Sequence, residues 1–176
     1  MHLGILALFP NAYNITENKN PNCKIETFDF TPKNSNVTYD KVEKSIGKIS
    51  LAEAEAVVSA GRGLKGPENW GMIEELADLL DAGTACSKPV SDIGWRPHSE
   101  HVGQTGKSIA PNLYIAIGIS GAIQHLAGVS SSKVIVAINT DTEAPFFKAA
   151  DYGIVGDAFE VVPRLIEEIK KFKAKI

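Results

Sequence analysis

VGQTGKSIAPNLYIAIGISGAIQHLAG, from Val102 to Gly128, is the stretch whose reading decides the fold. It opens on a Gly-Gln-Thr-Gly turn, runs through the apolar segment Leu113 to Ile117, bends at Gly118 and enters a small-residue helix carrying His125. Ser120-Gly121-Ala122 at the end of an apolar run reads as a strand stopping and a helix starting, with the unpaired N–H groups of the first turn facing outward. A helix N-terminus carries about +0.5 of a charge, so a phosphate or pyrophosphate is its natural ligand. A plain serine cap is the competing reading of the same three residues.

Working outward, the flanking segments repeat one pattern, a short apolar run followed by a polar turn and a helix. Ala56 to Ala60 stops at Gly61-Arg62-Gly63, and a helix follows Gly66-Pro67 with Met72, Ile73, Leu76, Leu79 and Leu80 at helical spacing. Thr84 to Ser87 is a further strand, followed by a loop with Trp95, Arg96 and Pro97. Lys133 to Ile138 ends at Asn139, and Tyr152 to Val155 ends near Asp157. The terminal helix places Val162, Leu165, Ile166, Ile169 and Phe172 on one face and gathers Lys170, Lys171, Lys173 and Lys175 at its end, where positive charge suits the dipole.

Strands buried on both faces and separated by helices imply an α/β fold of three layers, a mostly parallel sheet with helices on either side. Ligands in such sheets collect beyond the carboxyl ends of the strands, where chain direction diverges. Arg62, Ser87, Ser120, Asn139 and Asp157 each follow a predicted strand, so they are candidates for one crevice; polar residues also end most strands for no functional reason. Before this core, His2 to Phe9 reads as a strand, Asn14 to Asn22 as a surface loop, Cys23 to Phe30 as a strand with one better buried face, and Asn34 to Lys48 as a connection.

Composition limits the choices. With 176 residues and 44% hydrophobic content the chain can bury one core, and a net charge of -3 leaves no broad basic footprint for nucleic acid. No apolar run approaches the roughly 20 residues of a membrane span. Cys23 and Cys86 stand apart without a CxxC pair, which indicates neither a metal site nor a disulfide framework and fits a reducing compartment.

VGQTGK (Val102 to Lys107), APNLYIAIGISGAIQHLAG (Ala110 to Gly128) and VVSAGRGLKGPEN (Val57 to Asn69) together resemble the C-terminal, FAD-binding domain of the alpha subunit of electron transfer flavoprotein. The resemblance implies a Rossmann-like, deoxyhypusine-synthase-like FAD-binding domain over residues 49–176. Residues 1–48 are then strands and loops preceding it, with most of the family's N-terminal domain absent and the chain a C-terminal portion. It also implies a residue set. Arg62 sits beside the flavin, where positive charge favours the reduced anionic form. Thr105 hydrogen-bonds near flavin N5, with Val102, Gly103 and Gln104 in the same turn, and His125 donates to the flavin O2 region. Ser120, Gly121, Ala122, Ile123 and Gln124 wrap the phosphates and ribityl chain, Asn139, Asp157 and Ala158 hold the adenosine part, and Ser87 and Lys88 complete the set. Members of the family commonly carry arginine where this chain has Lys88; lysine keeps the charge but loses the planar fork, which bears on flavin potential. Without the resemblance, Arg62 and Thr105 read as turn residues and His125 as a core histidine.

The function implied is a relay in which FAD, the one cofactor, takes electrons from acyl-CoA or other dehydrogenases, as in fatty acid beta-oxidation, and passes them to a quinone reductase or another acceptor. The beta subunit is the implied partner, with a homodimer as the arrangement of an isolated chain. The implied compartment is the bacterial cytoplasm or the mitochondrial matrix. No residue is assigned a catalytic role and no metal is implied. Two other readings stay open: an enzyme binding NAD in the same crevice, weakened by the lack of GxGxxG after a strand, and a non-redox structural partner with an empty crevice.

Overall fold

The computed structural model describes residues 49–175 throughout, together with residues 16, 17, 24, 26, 27, 29–31 and 40. The expected His2 to Phe9 strand and nearly all of Asn14 to Asn22 and Asn34 to Lys48 lie outside the described residues. Within Cys23 to Phe30 the described residues, Lys24, Glu26, Thr27, Asp29 and Phe30, are exposed and carry no strand. Each face of that alternating segment mixes apolar with polar side chains, so neither offers a consistent surface to bury.

The core is a five-stranded parallel sheet in the order β2-β1-β3-β4-β5. The strands are β1 (Ala56–Ala60), β2 (Gly83–Cys86), β3 (Leu113–Ile117), β4 (Val134–Asn139) and β5 (Tyr152–Val155). The helices are α1 (Gly71–Leu79), α2 (Lys88–Asp92), α3 (Ile123–Leu126), α4 (Phe146–Ala149) and α5 (Ala158–Lys173). Alternation along each strand sends side chains to opposite faces. Val58, Ala60, Ile115 and Ile117 pack beneath α1 and α5 with Ile73, Leu76, Val162 and Ile166. Val57, Tyr114, Ala116 and Ala137 pack on the other side with Phe146, Val102 and Val129. Because both faces are covered, β1 and β3 are almost continuously apolar, as buried parallel strands must be.

One expectation needs correction. β5, at one edge of the sheet, is exposed along its length, with Tyr152 at 67% and Val155 at 59% exposure; only the four strands before it fit burial on both faces. On the apolar face of α5, Val162 and Ile166 are buried and Phe172, near the helix end, is 65% exposed. No helix among the described residues is long and apolar enough to cross a membrane.

The segment between β2 and β3 holds a short helix, α2, where the sequence suggested only loop. Beyond it Arg96 grips Glu100 with two bonds, Nε to Oε2 at 2.7 Å and Nη2 to Oε1 at 2.8 Å, and reaches Glu74 of α1 at 3.0 Å. Its guanidinium lies 5.2 Å from the Trp70 ring. Arg96 and Glu100 are both largely buried, so this network anchors the loop feeding into Val102. Arg96→Ala is expected to lower stability by about 2 kcal/mol, below the ~3–5 kcal/mol of a fully buried pair because Glu74 is half exposed. Arg96→Lys should recover only part, losing the planar fork. Urea denaturation of the two variants checks both statements.

Candidate functional site

The sheet order reverses between β1 and β3. The chain leaves β1 toward β2 on one side, then returns to lay β3 on the other. Loops at the carboxyl ends of these strands diverge there, which opens a crevice without any further device. A cavity of about 600 Å³ occupies it. After β1 it is lined by Arg62, after β2 by Ser87, Lys88 and the turn Val102 to Thr105, and after β3 by Gly118 to Ser120, Ala122, Gln124 and His125.

The β1 and β3 loops meet backbone to backbone at the lining residue Gly118. Gly118 adopts φ +60°, a left-handed conformation that side chains resist, and a Cβ there would stand 2.8 Å from Gly63 Cα. Gly61 N–H donates to Ile117 O at 2.9 Å and Gly63 N–H to Gly118 O at 3.1 Å, which locks the β1 and β3 loops together and holds Arg62 at the rim. Gly121, at φ +84°, leaves room for Phe146, whose N–H donates to Ser120 O at 3.1 Å.

The turn after β2 is held as firmly. Short parallel bridges pair Cys86 with His101 and Val102 with Lys107. Gln104 N–H donates to Gln124 O at 2.7 Å, so this turn and the His125 segment form adjoining walls. Thr105 sits exposed at the crest of the turn. Cys86, buried behind it, has its thiol pushed up to about 12 by burial and then by Glu100's charge, which leaves it unreactive.

The expected helix after β3 is a single turn, Ile123–Leu126, with Ala122 rather than Ser120 before it. Four residues generate little macrodipole, so that part of the anion argument falls. The donors themselves remain. Among the described residues, no backbone carbonyl accepts from the N–H groups of Ser120 to Gln124. His125 is 7% exposed; its Nε2 lies 2.8 Å from the Tyr114 hydroxyl, and its Nδ1 is buried with no partner among the described residues. Burial, and secondarily the charge of His101, lowers its pKa to about 4, so the imidazole is neutral at physiological pH.

Asn139 and Asp157 follow β4 and β5 but do not line this cavity, and neither do Gly121, Ile123 and Ala158. Asn139 Nδ2 donates to Ile119 O at 2.9 Å, bracing the cavity wall from behind. Asp157 caps α5 by accepting from Phe159 N–H at 3.0 Å and pairs with Lys65 at 3.4 Å, while Ala158 is buried in the core. Lys88 pairs with Asp92 at 3.2 Å.

A comparison with protein families matches residues 50–130 to the electron transfer flavoprotein FAD-binding domain. The chain is 55% identical over 137 residues to electron transfer flavoprotein subunit alpha of Syntrophomonas wolfei, covering 76% of this chain and 43% of that protein. The chain belongs to the electron transfer flavoprotein alpha family. The Bacillus subtilis alpha subunit is 53% identical over 135 residues, 77% of this chain and 42% of its own length. The mitochondrial alpha subunit of Dictyostelium discoideum is 54% identical over 140 residues, 79% and 39% respectively. The chain thus spans less than half the length of these alpha subunits.

FAD is the cofactor of the electron transfer flavoprotein domain matched here, and the cavity's chemistry suits it: free backbone donors for phosphate oxygens, Gly103 and Gly118 in the lining for close approach of a planar ring, and His125 in the wall with its Nδ1 unpartnered among the described residues. Pro89, Asp92, His101, Gly118 and Ile119 also line the cavity without having been assigned to the site from the sequence. His101 directly precedes the VGQTGK motif but reaches the cavity through its bridge to Cys86. It is 6% exposed, with its pKa lowered by burial and then by Lys88's charge.

Proposed function

We propose that this chain is the FAD-holding part of an electron transfer flavoprotein, relaying electrons from flavoprotein dehydrogenases to a quinone reductase or another acceptor. The observation that carries the reading is the crevice at the β1/β3 reversal, where Arg62, Thr105, Ser120 and His125 share one cavity. Bound flavin supplies the electron acceptance and release; the protein needs no nucleophile or general base. Arg62, Thr105 and His125 surround the ring, and Ser87, Lys88 and Val102 to Gln104 complete that wall. The N–H groups of Ser120 to Gln124 take the phosphates. Asn139, Asp157 and Ala158, at the strand ends farther along the same sheet edge, take the adenosine part.

The partner is an electron transfer flavoprotein beta subunit, which closes the cavity from outside, and the compartment is the cytoplasm of a bacterium or a mitochondrial matrix. Titrating the chain together with that subunit, FAD against NAD, tests the proposal. FAD should bind with the absorbance of a bound flavin and NAD should not compete. Arg62→Ala and Thr105→Ala should each weaken FAD about tenfold, equivalent to ~1.4 kcal/mol. Failure to bind FAD with the subunit present would sink the reading, and preference for NAD would favour the enzyme alternative.

A further inference from the structure

Tyr114 is fully buried on β3, beneath the cavity rather than in its wall. Its ring stacks on Phe146 with centroids 6.1 Å apart and planes at 13°. The His125 ring meets the same phenylalanine edge-on, at 5.7 Å and 63°. Both rings thus pack against one phenylalanine, and the Tyr114 hydroxyl lies 2.8 Å from His125 Nε2.

A neutral imidazole has one N–H and one acceptor nitrogen, and the hydrogen bond made at one nitrogen decides which is which. A phenol is a far stronger acid than a neutral imidazole N–H, so the hydroxyl is the donor of this pair. Burial raises the Tyr114 pKa, so its proton is retained. Nε2 is then the acceptor and Nδ1 carries the hydrogen. That nitrogen is a buried atom for which the described residues offer no partner. An unsatisfied buried donor is costly, and a ligand acceptor at the His125 wall would satisfy it.

We propose that Tyr114 is a positioning residue: its hydroxyl holds His125 in the Nδ1–H tautomer and keeps one hydrogen-bond donor ready for an acceptor atom of the bound cofactor. This deepens the flavin reading and rests on it for the identity of the acceptor. The tautomer itself does not depend on that reading.

Tyr114→Phe removes the hydroxyl and keeps the ring against Phe146. Nitrogen NMR of the 15N-labelled full chain near neutral pH reads the His125 tautomer directly from the shifts of its two ring nitrogens. The wild-type protein should show protonated Nδ1 and unprotonated Nε2, and Tyr114→Phe should redistribute the proton toward Nε2. A wild-type spectrum with protonated Nε2, or an unchanged spectrum in the variant, overturns the proposal even if the variant folds poorly, because the first result needs no variant. In the complex with the beta subunit, Tyr114→Phe should bind FAD about tenfold more weakly; equal affinity overturns the link to the cofactor. Should the tautomer behave as stated while wild-type protein binds no FAD, it is the flavin reading that fails and the positioning role that stands.

Discussion

Gly118→Ala is expected to lower the stability of the folded domain by roughly 3 kcal/mol and to remove FAD binding. The left-handed backbone at φ +60° alone costs an alanine about 1–2 kcal/mol. The new Cβ would also stand 2.8 Å from Gly63 Cα and 3.2 Å from Gly63 C, and those are backbone atoms that cannot rotate away. Gly63 has little freedom to retreat, since its N–H is bonded to Gly118 O. The strained contact must therefore open the seam between the β1 and β3 loops, which carries the lining residues Arg62 and Gly118. Gly71→Ala is the control. It lies at the start of α1 with helical φ and nothing within 4 Å of a Cβ, so alanine there should be neutral or stabilising by about 0.5 kcal/mol. Urea midpoints for both variants, with FAD titration of the complex, decide the matter. A loss under about 1 kcal/mol for Gly118→Ala would show that the seam is softer than its geometry implies.

The strands were legible because each is a short apolar run ended by a polar turn. β1, β3 and β5 begin and end where the hydrophobic pattern does, and β2 and β4 are displaced by one residue. Exposure of β5 was not legible, because an edge strand and a central one share composition when the edge is apolar. α2 escaped because Lys88–Asp92 is one turn long with a proline at its start, and proline opens helices and turns alike. On the site, Arg62, Thr105, Ser120 and His125 were reachable through glycine-flanked motifs and the resemblance those motifs carry. His101 and Asp92 needed the folded chain. His101 reaches the cavity only because its backbone bridges Cys86, fifteen positions earlier, and no local pattern announces such a pairing. Asn139 and Asp157 show the converse: both end strands as read, yet β4 and β5 lie on the far side of the reversal, so neither lines the cavity and the described contacts of each brace the scaffold.

Acid should destabilise the domain well above the pH at which carboxylates protonate, and His125 is the reason. Its pKa is about 4 in the folded protein against 6.5 for the free side chain. Between those values the unfolded chain binds a proton that the folded one refuses, so stability rises with pH through this window and is fully present above 6.5. The loss on going from neutral pH to pH 4 is of the order of 3 kcal/mol from this residue. His101, also lowered by burial and then by Lys88, adds to the loss with the same sign. Asp157 has its carboxyl lowered by the Phe159 N–H, so its contribution is lost only below the ordinary carboxylate range and leaves the window clear. Urea midpoints measured across the window should slope steeply for the wild-type chain and flatten markedly in His125→Gln, whatever that variant's stability at neutral pH. Equal slopes would place the acid sensitivity elsewhere. Protonation also turns Nε2 into a donor facing the Tyr114 hydroxyl, which must then rotate to accept. The same acid range should therefore disturb the Tyr114–His125 pair and weaken the cofactor's hold, and Tyr114→Phe should keep the stability slope while changing the pH profile of FAD binding.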